Sequence, residues 1–201
     1  VPGGSTLATQ LEKFRHSPGG QTSSLLEKFK QVTAASLRIY HDDIRTQEAQ
    51  KHVVVDYMNA FPLGAYPGSG EVHGFGDGLS AWFHMDLEQF DQILADPDPA
   101  SLEKMAMAAA TYKKGVSLLL ALRRPSYYLT HIDALNEKTN TYLRLLTHAG
   151  IISPALQDLA LIYPLVFAPA TLTNSNNTTF QDQKAPNFIR THLQNLLGLP
   201  S

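Results

Sequence analysis

The sequence predicts an all-α protein, and three observations carry this prediction. Apolar residues recur at helical spacing in long stretches, such as 22–40 and 100–122. Serine, glycine and proline stand where these stretches would begin and end. The β-branched run at 53–55 lies between polar and aromatic residues that favour a helix over a strand.

Length and composition limit the classes of protein. The chain has 201 residues, of which 43% are hydrophobic and 17% charged, so we expect one folded domain with a short tail. A net charge of −2 excludes nucleic-acid binding by bulk phosphate neutralisation. The chain has no cysteine, which removes disulfides, thiolate metal sites and a cysteine nucleophile. The longest apolar run, 116–122, is far below the roughly 20 residues that span a bilayer.

The first long predicted helix covers residues 22–40. Ser24 and Glu27 form a capping box at its start. Lys28 and Gln31 are three residues apart, so their side chains should project together. The apolar positions at helical spacing are Leu25, Phe29, Val32 and Ile39.

Residues 62–78 are predicted to form a long glycine- and proline-rich loop. This stretch holds six glycines and two prolines, too many for regular structure. Long loops in compact domains are usually functional. Just beyond it and in the next helix, four side chains are expected in the core: Trp82, Phe83, Met105 and Met107.

The remaining chain predicts further helices and a tail. Helices are expected over about 100–122, over 132–149 up to Gly150, and from Ser153-Pro154 to before Pro164. Residues 169–187 are polar, and a short amphipathic helix is expected over 187–197. We therefore divide the chain into a domain at 1–168 and a linker with a short helix at 169–201.

The opening residues, GGSTLATQLEK at 3–13, form a loop that enters a helix. Free N–H groups and the positive end of the dipole make such a helix start favourable for an anion. Thr6, Gln10 and Lys13 fall on one face, where a hydroxyl, an amide and an ammonium group could grip a pyrophosphate. An N-capped surface helix without a ligand is an equally good interpretation of the residues alone.

Six segments in order resemble the peptidoglycan glycosyltransferases, glycosyltransferase family 51, which form the polymerase module of class A penicillin-binding proteins. GGSTLATQLEKF is similar to the second family motif, SLLEKFKQ to the third and DYMNAFPLG to the fourth. The other three segments, which resemble later stretches of the family, are EVHGFGDGLSAWF, LLLALRRPSYYL and KTNTYLRLLTHAGIIS. The similarity extends from residue 3 to about residue 161.

The resemblance implies an all-α, lysozyme-like glycosyltransferase domain, of which this chain lacks the N-terminal part. It implies transfer of a growing glycan from undecaprenyl pyrophosphate to lipid II, in cell-wall synthesis at the periplasmic or outer face of a bacterial inner membrane. The partners would be lipid II and the nascent glycan strand, with the membrane reached through an N-terminal segment upstream of Val1. The implied substrate-binding residues are Ser5, Thr6, Gln10, Lys13, Lys28 and Asn59.

Several family positions differ here. The first family motif, E-D-x-x-F-x-x-H-x-G, carries the glutamate that acts as general base, and this chain does not contain it. Gln31 aligns with the second family glutamate, Glu27 with an arginine, Gln50 with a lysine and Val55 with a glutamate. The resemblance also implies a divalent metal, usually magnesium, but Gln31 removes the carboxylate that would bind it.

Other interpretations remain at this stage. The chain could be a catalytically inactive module that binds lipid-linked glycan or serves as a scaffold, or, less well supported, a lysozyme-type hydrolase. Glu71 and His73 could form an acid/base pair, although loop charges are commonly only solvated. Gly74-x-Gly76-x-Gly78 is a poor match to a nucleotide loop. Two groups could be metal ligands but fit solvated turns better: His41 with Asp42 and Asp43, and His84 with Asp86.

Overall fold

The computed structural model describes residues 6–16, 24–40, 46–95 and 101–169. The chain divides into two compact units, Val1–Phe61 together with Ser201, and Pro62–Pro200. Both are built mainly from helices, so the predicted all-α class is confirmed. The proposed boundary at 168/169 stays a prediction, and the expected helix at 187–197 lies outside the described residues.

The first unit contains three helices, α1 (Leu7–His16), α2 (Leu25–Tyr40) and α3 (Thr46–Ala60). Each helix contacts the other two. Where they meet, Ala8, Ala35 and Val53 form a small buried cluster. Small side chains at such a junction allow the helix backbones to approach closely.

The predicted apolar face of α2 is wrong where the structure describes it. Phe29 is 68% exposed and Val32 is 44% exposed, whereas Gln31 and Ala35 are buried. The side chains of Leu25 and Ile39, and that of Glu27 in the expected capping box, lie outside the described residues. The face of α2 that carries the small Ala35 side chain packs against α1 and α3. Tightly packed helices need side chains whose shapes fit together, and hydrophobicity alone does not decide which face is buried.

The second unit opens with a β-hairpin, so the predicted loop at 62–78 is wrong. Strands β1 (Pro62–Tyr66) and β2 (Gly70–His73) pair antiparallel, with an irregularity in the register between Pro62 and Ala65. The glycines serve this structure: Gly64, Gly68 and Gly70 adopt positive φ angles of 77°, 84° and 72°. Such angles suit bulges and tight turns, which most other residues avoid.

Six helices follow the hairpin within the described residues. The predicted start at Ser153 is confirmed, because its hydroxyl accepts from the backbone N–H of Leu156. Ser101, inside the expected range of 100–122, caps α6 in the same way by accepting from the N–H of Lys104. Gly150 follows the fifth of these helices with a φ of 71°. The helices are α4 (Gly74–Phe83), α5 (Leu87–Ala95), α6 (Leu102–Ala121), α7 (Pro125–Thr130), α8 (Ile132–His148) and α9 (Pro154–Ile162).

The core of the second unit is apolar and tightly packed. Trp82, Leu63 and Leu118 are fully buried, and Phe83 is 7% exposed. A Cβ atom on Gly78 would collide with the Leu63 side chain, so the glycine permits the contact between α4 and β1. The expected burial of Trp82 and Phe83 is confirmed, while Met105 is only half-buried. Met107 is 50% exposed, which corrects its assignment to the core.

Lys113 lies inside the second unit, in the middle of α6. It is 1% exposed, and its Nζ donates to the carbonyl oxygens of Ala160 at 3.0 Å and Tyr163 at 2.6 Å. The ammonium group therefore satisfies carbonyls at the C-terminal end of α9. Burial lowers the pKa of Lys113 from 10.5 to about 8.

Candidate functional site

The N-terminus of α1 is capped by Thr6. Its Oγ1 accepts from the backbone N–H of Thr9 at 3.3 Å, and the Thr9 hydroxyl donates to the Thr6 carbonyl oxygen at 2.8 Å. The expected N-cap is therefore present. Thr6 as a whole residue remains exposed at the helix start. Ser5, the neighbouring predicted ligand, lies outside the described residues.

Thr6, Gln10 and Lys13 lie along one side of α1, as the spacing predicts. Gln10 and Lys13 are half-buried, one turn and two turns beyond the cap. Ala8 and Leu11, at 2% and 0% exposure, lie on the other side and face the interior. The helix thus separates a polar side with a hydroxyl, an amide and an ammonium group from its packed side.

Glu12 is a feature that the sequence interpretation missed. Its side chain is 1% exposed, although it lies between Leu11 and Lys13 on a short polar helix. Thr9, one turn earlier, is 8% exposed. A buried carboxyl group is costly unless it is paired or hydrogen-bonded, so we expect neighbouring groups in the fold to satisfy the Glu12 side chain. The only signal in the sequence was its place next to the buried positions 8 and 11.

On α2, the structure separates Lys28 from Gln31 by burial. Lys28 is half-buried, while Gln31 is 4% exposed and lies one turn before Ala35 on the inward face. An amide can donate and accept hydrogen bonds, but it cannot take up a proton in catalysis. At this position Gln31 can orient neighbouring groups and cannot serve as a base.

The third helix carries Asn59 near its C-terminal end, where the side chain is half-buried. Tyr57 is also half-buried, and desolvation by burial raises its pKa. Lys51 pairs with Glu48 at 2.7 Å, and both side chains are well exposed. Val55, which the sequence analysis aligns with a family glutamate, is 55% exposed. This surface of α3 therefore bears an apolar residue in place of a carboxylate.

A polar concavity lies in the second unit, between the hairpin and α4. It has a volume of about 170 Å³, and Ser69, Glu71, Asp77 and Ser80 contribute its polar lining. Glu71 and His73 lie on the same face of β2 and are half-buried, but only Glu71 lines the pocket. The acid/base interpretation of Glu71 and His73 therefore stays an alternative to the interpretation that both are only solvated.

The described residues do not offer a metal site. Among them, no three histidine, aspartate or glutamate side chains come together in a way that could hold an ion. His84 and Asp86 therefore lack a third ligand in this part of the chain, and His41 with Asp42 and Asp43 lies outside it. The carboxylate-poor face of α2 fits magnesium badly, because magnesium prefers carboxylate and water oxygens.

Both units are mainly helical in their described residues, and α1 of the first unit displays a hydroxyl, an amide and an ammonium group along one side. The family model described as "Transglycosylase" matches residues 1–147, and the chain belongs to this family, the peptidoglycan transglycosylases. At the level of the family, this supports glycosyl transfer in peptidoglycan synthesis. No curated protein and no solved structure gives a significant match.

Proposed function

We propose that this chain is a fragment of a peptidoglycan glycosyltransferase that polymerises lipid II into glycan strands. The observation that carries the proposal is the transglycosylase match over residues 1–147, which includes all of α1, α2 and α3. The polar side of α1 adds to it. Thr6, Gln10 and Lys13 would bind the diphosphate of the donor, with Ser5, Lys28 and Asn59 contacting the donor's diphosphate and sugars.

The chemistry assigns the cations a defined role. The 4-hydroxyl of the acceptor sugar attacks C1 of the donor, and the bond from C1 to the pyrophosphate oxygen breaks. Negative charge then accumulates on the leaving undecaprenyl pyrophosphate, where Lys13 and Lys28 would stabilise it. The proton of the attacking hydroxyl needs a base.

Gln31 cannot be that base, and the first-motif glutamate is not among these residues. We therefore propose that the base belongs to an additional N-terminal part of the protein. The same part would anchor the enzyme in a bacterial inner membrane, with this domain on the periplasmic or outer face. Among the described residues, no helix is long and apolar enough to cross a membrane. Because no three possible ligand side chains come together among the described residues, we derive no step through a metal ion.

A second candidate function follows from Gln31 itself. An amide buried where the family has a carboxylate would suit a module that retains the fold and binds lipid-linked glycan without reacting. Such a binding or scaffold module would keep the α1 contacts to the diphosphate and lose turnover.

The test uses labelled lipid II, magnesium and the longer protein that includes the first motif, with products separated as glycan strands. We expect a ladder of longer strands. Lys13→Ala should slow polymerisation by about 100-fold, because one charge-stabilising contact to the leaving group is lost. Lys30→Ala is the matched control, since Lys30 is an exposed lysine of α2 on a different face from Lys28.

The products distinguish the alternatives. Unchanged lipid II that nevertheless binds, with binding weakened by Lys13→Ala, would favour the inactive module. Shortened strands would favour a hydrolase. Equal loss in Lys13→Ala and Lys30→Ala would contradict the role of the α1 face under either function.

A further inference from the structure

A large apolar groove lies on the second unit, away from the hairpin pocket. It has a volume of about 630 Å³ and is lined by Leu102, Glu103, Ala106, Met107, Ala110 and Tyr163. The groove thus follows the N-terminal half of α6 and the residue after α9. Leu102 is 74% exposed, Met107 50% and Tyr163 42%. The lining is apolar apart from Glu103, and exposed apolar side chains clustered in a groove form a candidate surface for a partner.

We propose that the groove is occupied by residues 187–197 of this same chain. In their sequence, NFIRTHLQNLL, Ile189, Leu193 and Leu196 are spaced by four and three residues, which is helical spacing. Phe188 extends this apolar side at its start. An amphipathic segment of this kind presents its apolar face to a groove through anchors three, four and seven residues apart.

The position of the preceding chain supports this occupant. The backbone N–H of Ala168 donates to the Trp82 carbonyl at 2.8 Å, and Lys114 of α6 lies over the ring of Phe83 at 5.8 Å. The described chain therefore ends beside the C-terminal half of α6. Ala106, at the centre of the groove, is about 12 Å from Lys114 along the helix axis, at 1.5 Å per residue.

Residues 170–186 can cover that distance. Extended, they would reach about 55 Å, and as a random chain their ends would be on average about 23 Å apart. A tether of this length gives the segment an effective concentration on the order of millimolar. A second copy of the protein at micromolar concentration would compete poorly with it.

Charge also favours this segment. Glu103 lines the groove, while residues 187–197 contain Arg190 and no carboxylate. Opposite charges at the edge of an apolar contact attract each other, so Arg190 and Glu103 would favour docking of the segment and would help to fix its orientation in the groove.

The absence of cysteine allows a direct test by engineered disulfides. The full chain with Met107→Cys and Leu193→Cys should form an intramolecular disulfide under mild oxidation. The matched control is Ser69→Cys with Leu193→Cys, which places the first cysteine in the exposed hairpin turn. We expect the 107–193 pair to close at least ten times faster than the 69–193 pair.

Three results would overturn the proposal. Equal closure rates would mean that the segment is tethered but not docked. Disulfide-linked dimers through position 107 would identify a second copy as the occupant. If the cysteine at position 107 is protected from reaction only after phosphatidylglycerol vesicles are added, the occupant of the groove is a lipid surface.

A second measurement covers the case in which the cysteine variants do not fold. Hydrogen peroxide should oxidise Met107 slowly in the unsubstituted chain, because the docked segment would cover it. Leu193→Asp should increase the oxidation rate of Met107 several-fold and leave that of the half-buried Met85 unchanged. An unchanged rate at Met107 would contradict the proposal.

Discussion

The two units accommodate buried polar groups in different ways. In the second unit, Lys113 and Thr139 donate to backbone carbonyls inside an apolar core that includes Trp82. In the first unit, Glu12 and Gln31 are buried beside a cluster of small apolar side chains. The second unit thus buries an ammonium group and a hydroxyl that donate to backbone carbonyls, whereas the first unit buries a carboxyl and an amide side chain beside small apolar residues.

This difference suggests that the second unit is the more stable one and that the first unit carries the proposed binding residues. Large apolar side chains stabilise the second unit, because each contributes free energy in proportion to the surface it buries. Buried polar groups add little net stability and are expensive when a partner is lost. The proposed donor-binding residues of α1 and α2 occupy this first unit. We therefore expect the first unit to open at a lower free energy than the second.

The largest expected effect is that of Trp82→Ala in the second unit. The side chain is fully buried and packs edge to face against Phe167, with 5.2 Å between the ring centroids. Its removal should therefore lower the free energy of unfolding by about 4 kcal/mol. Its Nε1 has no hydrogen-bond partner, so the loss should be one of packing alone. Denaturant unfolding with hydrogen exchange resolved by unit is the measurement. Equal loss of protection in both units would break the comparison.

Next in size is Glu12→Ala in the first unit. Removal of a buried carboxylate leaves its neighbours without their charged or hydrogen-bonded partner, and we expect a loss of about 3 kcal/mol confined to α1, α2 and α3. Glu48→Ala is the control, because its ion pair with Lys51 is exposed and should contribute only about 0.3 kcal/mol. Hydrogen exchange in the three helices measures both. Similar values for the two variants would show that burial at position 12 carries no energetic consequence.

Much of the second unit could be predicted from the sequence. The starts of α6 and α9 follow from Ser101 and Ser153, since a serine before a helix satisfies its free N–H groups locally. The hairpin could not be predicted in the same way. Its glycines were counted as breakers, but Gly64 and Gly70 have the positive φ angles of an ordered bulge and turn, which composition alone does not distinguish from a loop.

The candidate site was predictable only in part. Spacing along a single helix correctly aligned Thr6, Gln10 and Lys13, because helical periodicity is a local property. Whether Glu12 is buried or Phe29 exposed depends on which face of each helix the neighbouring helices cover. That choice depends on tertiary packing, and a polar residue at the margin of an apolar face gives little signal of its burial.

A third, smaller effect concerns Lys113, whose burial should make the stability of the second unit depend on pH. Its pKa is about 8 in the folded protein and 10.5 when unfolded, so the unfolded chain holds more protons between these values. The free energy of unfolding should therefore rise with pH, by about 1.5 kcal/mol from pH 8 to 9.5. Lys113→Met should remove this rise, as measured by denaturant unfolding across that range.

The control for this pH effect is Lys104→Met, at an exposed position in the first turn of the same helix. It should retain the rise. Burial also lowers the pKa of Lys114, which adds a contribution of the same sign, but this cancels in the difference between the Lys113 variant and the unsubstituted protein. Buried tyrosines such as Tyr112 have raised pKa values and act oppositely above pH 10, so the measurement ends below that value. A rise that persists in Lys113→Met would contradict the assignment.

The smallest expected effect, at Thr6, separates stability from ligand binding within the first unit. Thr6→Ala removes the oxygen that accepts the Thr9 N–H and should cost about 1 kcal/mol. Thr6→Asp retains a good cap and should keep or slightly raise stability, because a carboxylate interacts favourably with the positive helix end. The same carboxylate should repel a diphosphate and weaken binding of the lipid-linked donor about tenfold. If Thr6→Asp instead binds the donor as well as the unsubstituted protein, the helix start serves only as a cap, and the ligand must be held elsewhere.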